Sequence, residues 1–93
     1  MGKLESKTQR EIILYLESIG AYVVRVVVAS KGGKHDLIVC YDGRFYSLEV
    51  KQDRAEVKEN SLQGYNLRKV REAGGIAAVV RSVEDVKETL ASL

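Results

Sequence analysis

Apolar residues in this chain change their spacing from steps of three and four to steps of one and two, then back again. Over residues 4–19, Thr8, Ile12, Leu16 and Ile19 recur at helical spacing and Gly20 follows as a stop signal, which predicts a first helix. "YVVRVVV", residues 22–28, is β-branched almost throughout and predicts a buried strand that ends in the loop "ASKGGK". "DLIVCY" and "RFYSLEVK" flank Asp42-Gly43, a hairpin signal because a type I′ turn needs positive φ at both central positions. Residues 61–73 have helical spacing and stop at Gly74-Gly75, "IAAVVR" reads as a fourth strand, and Ser82 caps a last helix with Asp85 at its third position. The order is αβββαβα. A helix between strands three and four permits a crossover, so the expected class is α/β, a mixed sheet flanked by helices in one domain, residues 1–93.

The polar positions interrupt this pattern where a sheet should be packing. Alternation puts Tyr46, Leu48 and Val50 on one face of strand three, and Phe45, Ser47, Glu49 and Lys51 on the other. Glu49 and Lys51 then stand about 6.6 Å apart along the strand. A two-residue loop sets Tyr41 against Arg44, so paired positions sum to 85 and Asp36 falls opposite Glu49. Like charges in direct opposition repel. The pair therefore needs a cation, or else it lies harmlessly at a solvated edge. At 100° per residue, Glu5 projects within about 20° of Ile12 and Gln9 about 60° from it, so both could reach one pocket from the start of the first helix. A solvated first turn is the competing reading for Glu5, and Glu11 projects outward. Gln63 projects close to Val70 on the inner side of the second helix, where it either satisfies a backbone group or meets a substrate. Cys40 on its strand is expected to be a small buried hydrophobe, while Tyr22 and Tyr46 are expected to leave a sheet face in need of cover.

Composition narrows the chemistry. With 45% apolar and 30% charged residues the chain has the profile of a soluble globular protein rather than a disordered one. No apolar run approaches the roughly 18 to 20 residues of a membrane span, and "MGKLESKTQR" lacks the apolar core of a secretory signal, so a cytoplasmic protein is expected. One cysteine and one histidine argue against zinc. The net charge of +2 is small but uneven: residues 31–71 carry nine Lys or Arg against six Asp or Glu, and residues 72–93 carry two against four. The loop with Lys31, Gly33 and Lys34 beside Asp36, together with Arg54 and Lys58 after strand three, offers amides and cations to phosphates. A mobile polar loop is the plainer reading of the same residues.

Hard carboxylate oxygens suit Mg²⁺ or Mn²⁺, which take one or two carboxylates and keep several waters. Asp36 and Glu49 meet that count, the Val50 carbonyl could add a ligand, and Glu5 could join directly or through water. Lys51 could hold the attacking water and stabilise charge on a phosphate, with the metal lowering the water's pKa. Such a set serves phosphodiester hydrolysis.

The succession of a helix-one glutamate, Asp36, a hairpin, "LEVK" and a helical glutamine resembles the PD-(D/E)XK nuclease superfamily. Within it, "GGKHDLIVCYDGRFYSLEVKQ" followed by "SLQ" and "REAGGIAAVVRSVEDVKETL" is similar to the VRR-NUC family, especially its small stand-alone phage and bacterial members. The likeness spans nearly the whole chain. It implies a restriction-endonuclease-like sheet, metal ligands at Asp36 and Glu49, catalytic support from Lys51, an active-site glutamate at Glu5 and a supporting Gln63. It further implies DNA as substrate, Holliday junctions in particular, Mg²⁺ or Mn²⁺ as cofactor, and a homodimer. Archaeal junction resolvases have their helix glutamate where this chain has Gln9, and the residue before the aspartate, here His35, is commonly proline. His35 then either touches DNA or is a solvated loop histidine. Two other readings stay open: a non-catalytic dimeric DNA-binding module on the same fold, and a surface salt-bridge network on a small structural protein.

Overall fold

Ser6 starts the first helix by folding its hydroxyl back onto the chain. Its backbone is extended, and its Oγ accepts the Gln9 N–H at 3.0 Å, satisfying one of the amides that a helix start leaves unpaired. The computed structural model describes residues 6–28, 34–51 and 62–92, and in it the helix α1 runs Lys7–Ser18. After it come strands β1 (Tyr22–Val28), β2 (Lys34–Tyr41) and β3 (Arg44–Val50), helix α2 (Leu62–Glu72), strand β4 (Ile76–Val80) and helix α3 (Val83–Ala91). Glu5 lies outside the described residues. The stripe that α1 buries is Gln9, Ile12 and Leu16, while Thr8 is only half-buried.

The sheet order is β1-β2-β3-β4, antiparallel up to β3 and parallel between β3 and β4. Asp42 and Gly43 have φ of 53° and 76°, the left-handed pair that a type I′ turn requires, and the turn is closed by Tyr41 against Arg44. Both faces of the sheet are used. Leu37, Val39, Tyr46, Leu48 and Val80 share one core with Ile12 and Leu16 of α1 and Val86 of α3. By alternation, Ser47 and Glu49 leave β3 on the other face, the side taken by the α2 crossover. Helix α2 is tied down there by Arg71, whose Nη2 donates to the Ala77 carbonyl at 2.7 Å. Helix α3 begins with Ser82 Oγ accepting the Asp85 N–H, while Asp85 Oδ2 accepts the Arg81 N–H at 2.8 Å.

Three expectations change. The strand β1 is an edge rather than a buried strand: Tyr22 is 71% exposed and Val24 and Val26 are also exposed, because α1 covers only one of its faces. Tyr46 is fully buried under the helices and leaves no face to protect. Cys40 is exposed, since it shares the uncovered face with Tyr22, its partner in the register. Among the described residues no helix is long and apolar enough to cross a membrane.

Gly43→Val should destabilise the protein by about 1 to 2 kcal/mol in urea unfolding, whereas Asp42→Asn should be nearly neutral because asparagine tolerates positive φ.

Candidate functional site

The hairpin register decides what stands opposite Glu49. Pairs alternate between hydrogen-bonded and non-hydrogen-bonded types going away from the Tyr41–Arg44 closing pair, which makes the last pair, Asp36 and Glu49, non-hydrogen-bonded. In such pairs the Cα atoms are only about 4.5 Å apart. The Lys51 N–H, which donates to the Val80 carbonyl at 3.0 Å, fixes the same phase from the other side. Odd positions of β3 direct their backbone groups toward β4, so the Val50 carbonyl points toward β2, on the side of Asp36. Glu49 is 4% exposed, so its carboxyl group is withdrawn from water, and Lys51 is half-buried two positions further along.

Connectivity brings the helix starts to the same end. The short Ile19–Ala21 turn ties the end of α1 to the start of β1, so α1 begins near the far end of β1, where β2 starts and β3 finishes. Ala73–Gly75 ties the end of α2 to the start of β4 in the same way, and α3 begins directly after β4. The partial positive charge of α3 meets its own Glu84 and Asp85, whereas α1 and α2 have no acid in their first turns. Two helix termini that favour anions thus border the sheet end holding Glu49.

Asp36, Glu49, Val50 and Lys51 are therefore gathered by the sheet itself, with Lys34 and His35 as the first residues of β2 and Gln63 as the second residue of α2, these last three and Asp36 being described by their backbone. Glu5, Lys31, Gly33, Arg54 and Lys58 lie outside the described residues. Gln9 is not brought beside Glu49. It is 3% exposed and belongs to the stripe with Ile12 and Leu16, which packs on the Tyr46–Leu48 face, whereas Glu49 leaves the opposite one. Its Oε1 and the Tyr46 hydroxyl are both buried without a hydrogen-bond partner. The sequence placed Tyr46 on the Leu48 face but its hydroxyl went unremarked, although a tyrosine on a core face carries its own signal in the need for a hydroxyl partner.

Among the described residues no three His, Cys, Asp or Glu side chains form a cluster. The donor chemistry around Glu49, a carboxylate beside a backbone carbonyl and across from an aspartate position, consists of hard oxygens that fit Mg²⁺ or Mn²⁺ rather than a thiophilic metal. Compared with known protein families, curated proteins and solved structures, the chain matches none.

Gln9→Met and Tyr46→Phe remove buried polar atoms that lack partners, so each should leave stability unchanged or raise it by about 1 kcal/mol in urea unfolding. A loss of more than that would show these groups to be satisfied in solution.

Proposed function

We propose that the chain is a metal-dependent DNA endonuclease of the VRR-NUC type, with a restriction-endonuclease-like arrangement of its mixed sheet, hydrolysing phosphodiester bonds in branched DNA such as Holliday junctions. One observation carries the reading: the last rung of the hairpin, farthest from the turn, sets a buried Glu49 against Asp36, with Lys51 next on the same face. A fold has no need of two opposed acids there, since like charges in direct opposition weaken a sheet.

Asp36, Glu49 and the Val50 carbonyl would hold Mg²⁺ or Mn²⁺, which when bound supplies an acidified water and offsets phosphate charge. Lys51 is anchored through its backbone to β4 and presents an ammonium beside the reacting phosphate, where it orients the water and stabilises the added negative charge. The positive ends of α1 and α2 orient the phosphate backbone, and Gln63 at the start of α2 supports the water. Glu5, next to Ser6 in sequence, would be the further acid of the set. Lys31, Gly33, Lys34, His35, Arg54 and Lys58 contact the DNA backbone around it.

The partner in solution is a second copy. The outer edge of β1 directs the backbone groups of alternate residues, Val23, Arg25 and Val27, away from β2 and toward no described strand, and Tyr22, Val24 and Val26 form an exposed apolar row on one face. Such an edge is a template for strand pairing, and a two-fold pair would present two sites to a two-fold junction. Light scattering should give about twice the 10.3 kDa chain mass, and Cys40 should label more slowly in the dimer than in urea.

On four-way junction, flap and duplex DNA with Mg²⁺ or Mn²⁺, Lys51→Ala and Glu49→Gln should each lower the cleavage rate about 100-fold or more. Wild-type cleavage that persists in excess EDTA overturns the reading. Manganese at about ten times its Kd should stabilise the wild-type protein by about 1.4 kcal/mol, and Glu49→Gln should abolish that gain.

A further inference from the structure

The two faces of the molecule differ in charge. Helix α2 carries three cations and one anion, whereas α1 and α3 together carry three cations and five anions. On α2, Tyr65, Arg68, Lys69 and Glu72 fall on one exposed stripe at spacings of three and four. Tyr65 is 48% exposed, and the Arg68 guanidinium lies 5.7 Å from its ring centroid.

The stripe leads into a cleft. Between the end of α2 and the hairpin turn lies an open cleft of about 760 Å³, with Phe45, Val70 and Ile76 along its wall and Arg44 and Lys69 at its rim. Phe45 is 46% exposed and lies against Gly75: a Cβ added there would come within 3.0 Å of its Cδ1 and 2.9 Å of Val70, so only glycine leaves room for the ring at this place. Among the described residues the two cations that line it form exposed surface pairs, Arg44 with Asp42 at 3.2 Å and Lys69 with Glu72 at 3.6 Å, and pairs of this kind are weak enough for a phosphate to displace.

We infer that this surface, from Tyr65 along α2 to the Phe45 cleft, binds an unpaired DNA strand, so that the substrates of the proposed nuclease include branched DNA with a single-stranded arm. Aromatic rings interleaved with cations suit a single strand, whose bases are free to stack and whose phosphates lie within reach of the side chains. A closed duplex offers phosphates but no exposed base faces. The inference rests on the nuclease reading for its choice of DNA. Phe45 is four positions from Glu49 on β3, about 13 Å, which is about four stacked nucleotides. The arm is thus gripped about four nucleotides from the scissile phosphate, and flaps shorter than that fall short of the cleft.

The experiment is fluorescence anisotropy in EDTA with a labelled oligothymidylate and a blunt duplex of equal length, using the full chain. Phe45→Leu keeps an apolar side chain in the cleft but loses the flat ring, and Lys69→Gln removes one lining cation. Phe45→Leu should weaken single-strand binding about fivefold or more while leaving duplex binding unchanged, and Lys69→Gln should reduce the salt slope on the single strand by about 0.7. Unchanged single-strand binding in both variants, or equal losses on duplex and single strand, would overturn the inference. Metal-dependent cleavage of branched DNA alongside unchanged single-strand binding removes this surface and leaves the nuclease intact. The expected binding losses in a protein that cleaves nothing retain the surface and remove the nuclease.

Discussion

A turn of two residues sets the geometry of this protein. Asp42 and Gly43 both adopt positive φ, which fixes the strand register at one value. A slip by one residue would turn Leu37, Val39, Tyr46 and Leu48 out of the core they share with the helices. The hydrophobic alternation and the turn therefore select the same register, and that register also sets Asp36 against Glu49. The core and the candidate site come from one choice of pairing.

The two sides of the sheet then take different tasks. One side is covered by α1 and α3 and holds the fully buried cluster, along with two polar atoms, on Gln9 and Tyr46, that burial leaves without partners. The other side carries Glu49 and Lys51, the α2 crossover and the cationic stripe, and over β1 and β2 it exposes Tyr22, Val24, Val26 and Cys40. Where the strands end near Glu49, the short connections after α1 and α2 oblige those helices to begin close by. Packing, charge and the start of α2 distinguish that end of that face from the rest of the surface.

Much of this was legible in the residues. The hairpin and its pairing follow from Asp42-Gly43, because a two-residue loop permits little else, and Ser82 with Asp85 gives the start of α3 through side-chain bonds that are local in sequence. The start of α1 was misplaced because periodicity alone runs through a cap: Ser6 ends the helix by an interaction that the hydrophobic spacing does not register. The β-branched run of β1 was read as buried because composition reports strand preference, whereas burial depends on what packs on each face, a tertiary property. The same cause moved Cys40 to the surface. The opposed acids and Lys51 were found because strand alternation is strict, whereas the place of Gln9, on the far face from Glu49, depended on which face α1 covers.

The position of the acid pair has a kinetic side. Tyr41 and Arg44 are three positions apart, Asp36 and Glu49 thirteen, and each β3–β4 pair thirty, as Tyr46 with Ile76. Loop closure favours the shorter spans first, so the hairpin zips outward from its turn and β4 docks afterwards over the longer crossover. The acids occupy the final rung of that zipper, which is the last to close before β1 and β4 flank it. Whatever bridges them acts as a clasp on the open mouth of the hairpin.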